Sequence, residues 1–282
     1  MKNILSLILI LIFTTSCRMN ENSTNLNNLT VYDKVVQKGT IRVGYIPYPP
    51  AVIKDPNTKQ LSGIFYEVLM QAGKNLDLKV EFVEEVAWGT MVEAVKTNRV
   101  DLICTAVYAK SQRGKFVDFT LPLYYSPLKT FTYSRNNFFN GDISKVNSPS
   151  VKIATIDGEA VSILAKADFP KAQIVSLTQS SDVSQMLEEV ATKKADVTFV
   201  EPVFANAYIK SNPNKIMEVS GIEPVRVYPV VMMIAKDEGK FKSTLNIAIQ
   251  ELHDNGFVEK IIKKYEPSPN SFYRVQNSYK IK

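Results

Sequence analysis

Histidine, cysteine and tryptophan are scarce in this 282-residue chain, which holds one histidine, two cysteines and one tryptophan. A single histidine excludes a His-rich metal cluster, and two cysteines exclude a small fold stapled by disulfides. There is no Gly-rich phosphate loop, no Cys-x-x-Cys, no His-Glu-x-x-His and no Gly-x-Ser-x-Gly, so the common signatures of nucleotide, redox, zinc-protease and serine-hydrolase chemistry are missing. No cofactor is implied. Carboxylate pairs remain as possible catalysts, because a sequence does not show which acids face one another. The lone histidine, His253, falls on the polar side of a C-terminal helical pattern and reads as a solvated helix residue.

Long apolar runs are equally rare. The stretch Ile4 to Phe13 follows Lys2 and precedes small residues; it is about half the length a helix needs to cross a bilayer, and this order is that of a secretory signal over residues 1–16. It ends at Thr14-Thr15-Ser16-Cys17, which resembles the lipobox of bacterial lipoproteins, although Thr14 stands where an aliphatic residue is usual. The resemblance implies lipidation of Cys17 and a chain anchored at the outer face of the cytoplasmic membrane or in the periplasm. An ordinary signal peptide cut near Ser16 is the alternative. Residues 17–35, Asn-rich at 20–28, read as a solvated tether, and the fold begins near Val31. With Cys17 lipidated, Cys104 is the remaining thiol, buried in Val100-Asp101-Leu102-Ile103-Cys104.

What is abundant points to a globular protein: 45% apolar and 22% charged residues exclude disorder and collagen-like repeats. The net charge of +6 is local, since residues 257–282 carry six basic and two acidic side chains. The rest is close to neutral, so nucleic acid is not an expected partner.

The patterning alternates between periods of about two and about 3.6. Strands are expected at 41–45, 78–83, 100–106, 151–156, 173–176 and 196–200. Helices are expected at 63–76, around 91–95, at 159–167, 183–190, 241–252 and 257–265, with Ser180 and Ser181 capping the fourth and Pro202 opening another. Gly256 would stop the helix before it. Residues 135–150 read as a loop and 267–282 as a loose tail. Strands alternating with helices predict an α/β fold with mainly parallel sheets.

Several motifs then stand in order. Ile41-Arg42-Val43-Gly44, Tyr48-Pro49-Pro50, Trp88, Asp101, Arg113-Gly114-Lys115-Phe116-Val117-Asp118-Phe119-Thr120-Leu121-Pro122, Lys194-Ala195-Asp196 and a closing run from Leu245 to Tyr265 resemble the family 3 bacterial solute-binding proteins, the receptors of polar amino-acid ABC importers. The resemblance covers about residues 36–266. It implies a two-lobed type II periplasmic-binding-protein fold, each lobe a mainly parallel sheet flanked by helices, hinged by two crossing strands. Lobe 1 would be 36–125 and 234–266, and lobe 2 would be 126–233. A small carboxylate-bearing solute, an amino acid or derivative, would be caught between them by hinge closure and passed to ABC permease subunits. A monomer is the default.

By resemblance, Arg113 would grip the ligand carboxylate, which suits a guanidinium fork; a surface pair with Asp118 is the bland alternative. Glu201, before Pro202, aligns with the acid that binds the α-ammonium, or simply begins its helix. Glu159 stands where the family has a carboxylate-binding Thr; it would bind a cationic group or begin its helix. Tyr108 and Ala106 replace hydroxyl or glycine positions, Lys110 replaces a Thr, Ile46 replaces an acid, Phe65 replaces an Asp, and Ala51 a Phe. These departures imply a pocket poorer in acids and richer in aromatic surface on the lobe 1 side, with two of Tyr45, Tyr48, Trp88 and Tyr108 touching ligand. The loss at Ile46 argues against a basic side chain, and Glu159 weakens that argument. Two other readings stand beside the receptor: a cyclohexadienyl-dehydratase-like enzyme using Glu159 or Glu201 as acid, and a sensor or adhesin.

Overall fold

The computed structural model describes residues 29–178, 181–268 and 271–275. The signal segment, Cys17 and the Asn-rich stretch lie outside these residues, as does Ser180. The first element, α1 (Val31–Lys38), opens with a capping box between Thr30 and Asp33 and closes on Gly39 at φ 62°. Val31 and Val35 are buried in the core, so the end of the expected tether, residues 31–35, belongs to the fold.

Strand β1 (Thr40–Tyr45) leads to the hairpin β2 (Ile53–Lys54) and β3 (Leu61–Ser62), then α2 (Ile64–Asn75), β4 (Lys79–Glu85), α3 (Met91–Lys96) and β5 (Leu102–Tyr108). The one-turn α4 (Ser111–Gly114), β6 (Val117–Phe119) and the long β7 (Tyr124–Tyr133) follow. The next series is β8 (Lys152–Ile156), α5 (Ala160–Asp168), β9 (Gln173–Leu177), α6 (Val183–Ala191), β10 (Val197–Val200), α7 (Pro202–Ser211) and β11 (Ile216–Glu218). The long β12 (Arg226–Ala235), α8 (Gly239–Asp254) and α9 (Phe257–Tyr265) end the order.

The strands run β4-β1-β5-β12-β7-β10-β8-β9. β1 lies parallel to β4 and β5, and β8 parallel to β9 and β10. Between these two parallel wings, β7 and β12 pair antiparallel over Tyr124–Leu128 and Arg226–Val230. This is the two-lobed α/β arrangement with two strands crossing between lobes. The crossing strands each carry a proline, Pro127 opposite Val227 and Pro229 opposite Tyr125. β10 and β11 join β7 only from Lys129 onward, and β5 and β6 join β12 only from Val230 onward. Both prolines therefore sit where no sheet strand flanks the other side, so a missing N–H need not break a ladder.

Strand β5 shows why the first lobe forms. Leu102, Cys104 and Ala106 pack with α1, α2, α8 and α9 on one face, while Ile103 and Val107 pack with Met91, Ala94 and Val95 of α3 on the other. A strand covered on both faces must read as a continuous apolar run, and its fully buried thiol at Cys104 is pushed well up from its usual pKa by desolvation. Asp101, just before this run, is 2% exposed and accepts from Arg42 N at 2.7 Å and Arg42 Nη2 at 2.7 Å. The second lobe has its own core, with Phe131, Phe199, Leu187 and Ala165 among its fully buried members.

Three sequence expectations change here. Helix α6 is capped by Asp182, in a capping box with Gln185, and not by a serine hydroxyl. His253 is buried rather than solvated: its Nε2 lies 3.0 Å from the Pro122 carbonyl oxygen, and desolvation pushes its pKa down. The expected loose tail is partly packed. Phe272 is 3% exposed with its ring 4.3 Å from that of Tyr124, and Tyr273 exchanges two 2.8 Å backbone hydrogen bonds with Tyr125. Arg274 ties down the same stretch by pairing with Glu266 and Glu259. Among the described residues no helix is long and apolar enough to cross a membrane.

Candidate functional site

A cavity of about 550 Å³ opens where the carboxyl ends of the parallel strands from both lobes converge, the usual ligand crevice of such sheets. Its volume is within the range of small-molecule sites. The turn after β1 supplies Tyr48, held by a 2.8 Å bond from its N–H to the Val52 carbonyl. That turn is fixed in place by α2, whose first N–H groups, of Ile64 and Phe65, donate to the Pro50 and Ala51 carbonyls at 3.0 and 2.9 Å. Gly63 makes the approach possible: at φ 112° a Cβ there would stand 2.6 Å from the Ala51 oxygen.

Trp88 follows β4, Ala106 and Tyr108 end β5, and Arg113 lies on α4. From the second lobe, Glu159 precedes α5 and Glu201 precedes α7. The structure thus brings Arg113, Glu201, Tyr108, Trp88, Tyr48, Glu159 and Ala106, all seven expected residues, to one cavity. Tyr45 stays out of it, packing edge-on against Phe82 at 5.8 Å. Of the departures read as changes in the pocket, Ile46, Ala51 and Phe65 are core residues. Phe204 was not anticipated. It lines the cavity one helical turn beyond Glu201, and that i, i+3 spacing on a helix opened by Pro202 was the available signal.

The rings form two groups. Tyr48 meets Trp88 edge-on at 5.6 Å and 88°, and meets Phe204 across the cleft at 5.4 Å and 55°. Tyr108 stacks on Tyr228 of β12 at 4.6 Å, and Lys110 Nζ lies 5.7 and 5.5 Å from their two centroids. Arg113 and the neighbouring Lys110 come from the first lobe, and the lining acids Glu159, Asp182 and Glu201 from the second.

The charges are unevenly matched. Arg113 makes no side-chain hydrogen bond or ion pair with another described residue, and Asp118 is engaged instead by Lys236 Nζ at 3.0 Å and the Asp237 N–H at 3.2 Å. Burial pushes the Arg113 and Lys110 pKa values down, and the Glu159 charge opposes this at both. Neither Glu159 nor Glu201 bonds the start of its own helix through its side chain. Glu201 is 7% exposed, and its carboxyl has no hydrogen-bond or ionic partner among the described residues. Burial alone pushes it up to about 8, and the Tyr48 phenol is pushed well above its usual value by its own burial first and then by the charges of Glu201 and Glu159. Among the described residues no three His, Cys, Asp or Glu side chains gather as a metal site would need.

A profile described as bacterial extracellular solute-binding proteins, family 3, matches residues 41–268. The chain is 23% identical to the L-cystine-binding protein TcyA of Bacillus subtilis, over 87% of this chain and 88% of that one. It is 25% identical to a probable histidine-binding protein of Campylobacter jejuni, over 92% and 94%. The crystal structure of an ancestral amino acid-binding protein, described as a precursor of cyclohexadienyl dehydratase, superposes with a TM-score of 0.67 at 24% identity, covering 84% of this chain and 99% of that one.

Proposed function

The chain belongs to the bacterial extracellular solute-binding proteins, family 3, and from that premise we propose that it captures a small zwitterion, an amino acid or derivative, and hands it to an ABC permease. The observation that carries the reading is the cavity's charge layout. An unpaired guanidinium, Arg113, faces a cleft whose other lobe supplies two carboxyls without hydrogen-bond partners, Glu159 and Glu201. Aromatic walls remain for the rest of the ligand. Arg113 takes the carboxylate through parallel charge-assisted hydrogen bonds, and contacts from both lobes drive closure about β7 and β12. In this reading the moving bodies are residues 36–125 with 234–266 and residues 126–233. The protein works as a monomer, held to the outer face of the cytoplasmic membrane or in the periplasm by a lipid on Cys17.

A thermal-shift and calorimetric screen of amino acids, organic acids and amines tests this. At one hundred times its dissociation constant a true ligand adds about 2.7 kcal/mol of stability. Arg113→Ala should weaken that ligand about 100-fold, matching the roughly 3 kcal/mol upper range of a charged hydrogen-bonded contact. Equal affinity in the variant would remove Arg113 from the site.

One observation favours a second reading, the dehydratase-like enzyme. A carboxyl raised to about 8, as at Glu201, keeps its proton near neutrality, as a general acid must. Turnover of prephenate, lost in Glu201→Gln, would establish that reading, and no turnover would leave the receptor.

A further inference from the structure

Besides β7 and β12, a third connection joins the lobes. It is built from residues that follow α9, a helix of the first lobe. Tyr273 exchanges two 2.8 Å backbone hydrogen bonds with Tyr125 on β7. On the other side of β7, Tyr125 stands opposite Pro229 of β12, which has no N–H to give. At this point the crossing is therefore three strands wide, and bending it must break or carry along the third.

The same stretch is fixed to the first lobe. Phe272 is 3% exposed in that lobe's core, and Arg274 bonds Glu266 at 3.0 and 2.7 Å and Glu259 of α9 at 2.7 Å. It also reaches the second lobe, where the Asn206 side chain of α7 donates to Ser268 Oγ at 3.1 Å. The Ser271 hydroxyl donates to the Ser268 carbonyl at 2.8 Å, so in the 2.8 Å contact between the two hydroxyls Ser268 is the donor. Ser268 Oγ thus accepts from Asn206 while it donates to Ser271, which is 2% exposed. Asn206 lies one turn past Val203 on the same face of α7, and Val203 packs against the core of the first lobe. Phe204 beside them meets Tyr48 across the cleft. Because α7 starts at the cavity, opening the cleft lifts this face away and parts Asn206 from Ser268.

We propose that residues 266–268 and 271–274 form a strap that holds the lobes closed before any solute arrives. Tyr273 stiffens the crossing at Tyr125, and Ser268 clasps α7 through Asn206. A closed state that is already populated leaves less for a ligand to supply, so the strap raises apparent affinity. The inference goes beyond the receptor reading, and its test needs no ligand.

Spin labels on Lys74→Cys of α2 and Lys166→Cys of α5, both exposed, report the lobe separation by pulsed electron paramagnetic resonance. Cys104 is fully buried, and Cys17→Ser removes the other thiol. The ligand-free whole protein should give one main distance, that of the two positions in this structure. Asn206→Ala removes the clasp at an exposed helical site where alanine keeps the helix. It should lower the ratio of that population to any other roughly fivefold, the weight of one net hydrogen bond. Adding Tyr273→Pro, which takes an N–H from the pairing with Tyr125, should lower the ratio further. A wild-type protein whose main distance is not that of this structure overturns the proposal. So does a double variant whose distances match those of the wild type.

Discussion

Replacing Glu201 with glutamine keeps the shape of the side chain and removes its titration. In the empty cavity the carboxyl titrates at about 8, against 4.5 for the free group, because burial disfavours the charged form. Between those two values the folded protein holds a proton that the unfolded chain has released, so stability falls as pH rises. The stability is fully present below about 4.5 and fully lost above about 8, at roughly 1.4 kcal/mol per pH unit in between. From about pH 5 to about pH 7 the wild-type protein should therefore lose on the order of 2.5 kcal/mol relative to Glu201→Gln. Burying the amide adds an offset of its own, but that offset does not vary with pH. Urea unfolding of both ligand-free proteins across this range isolates the effect, because every other titrating group, His253 included, cancels in the difference. A difference that stays flat from about pH 5 to about pH 7 would mean that the carboxyl is already ionised in the empty cleft, and would refute the reasoning.

Two further substitutions test the scaffold. Asp101→Asn leaves Arg42 without its buried counter-ion, and should cost about 3 kcal/mol in urea unfolding, in line with breaking a buried pair; a cost under about 1 kcal/mol would show that the Arg42 bonds to the Asn98 and Arg99 carbonyls suffice. Phe272→Ala removes a buried ring packed on Tyr124 beside the crossing strands, and should cost about 3 kcal/mol. An unchanged melting temperature would return residues 271–274 to the status of a loose tail.

The parallel wings were legible because their central strands are short apolar runs bounded by polar residues and their helices carry clean apolar faces. β5 could be read on sight, since a run covered on both sides leaves no polar position to confuse the period. The crossing strands were not readable from their residues. Pro127 and Pro229 argue against strands unless it is known that one side of each is free of a sheet neighbour, and that is a fact of topology. Helix α1 was hidden because Asn-rich chain runs into it and only Val31 and Val35 face inward. His253 and Phe272 failed for a related reason: what covers them is the segment around Pro122 in one case and Tyr124 in the other, far away in sequence.

The site divides along the same line. Seven residues of the cavity were mapped through the family resemblance, and they lie at or beyond the carboxyl ends of parallel strands; Phe204, inside the first turn of α7, was not among them. What each acid does there was not legible. A glutamate before a helix reads alike whether it caps the helix, pairs with a cation or stands unpartnered among rings. Glu159 and Glu201 share that reading, and burial separates them: Glu159 is exposed at the cavity, whereas Glu201 is 7% exposed with no hydrogen-bond or ionic partner for its carboxyl among the described residues. A buried carboxyl without a partner costs stability in the empty protein, and the cationic group of a bound zwitterion would remove that cost. The cost that Glu201 places on the ligand-free fold is thus the same quantity that a bound ammonium would recover, so Glu201→Gln should stabilise the empty protein near neutral pH and weaken the binding of a zwitterionic ligand.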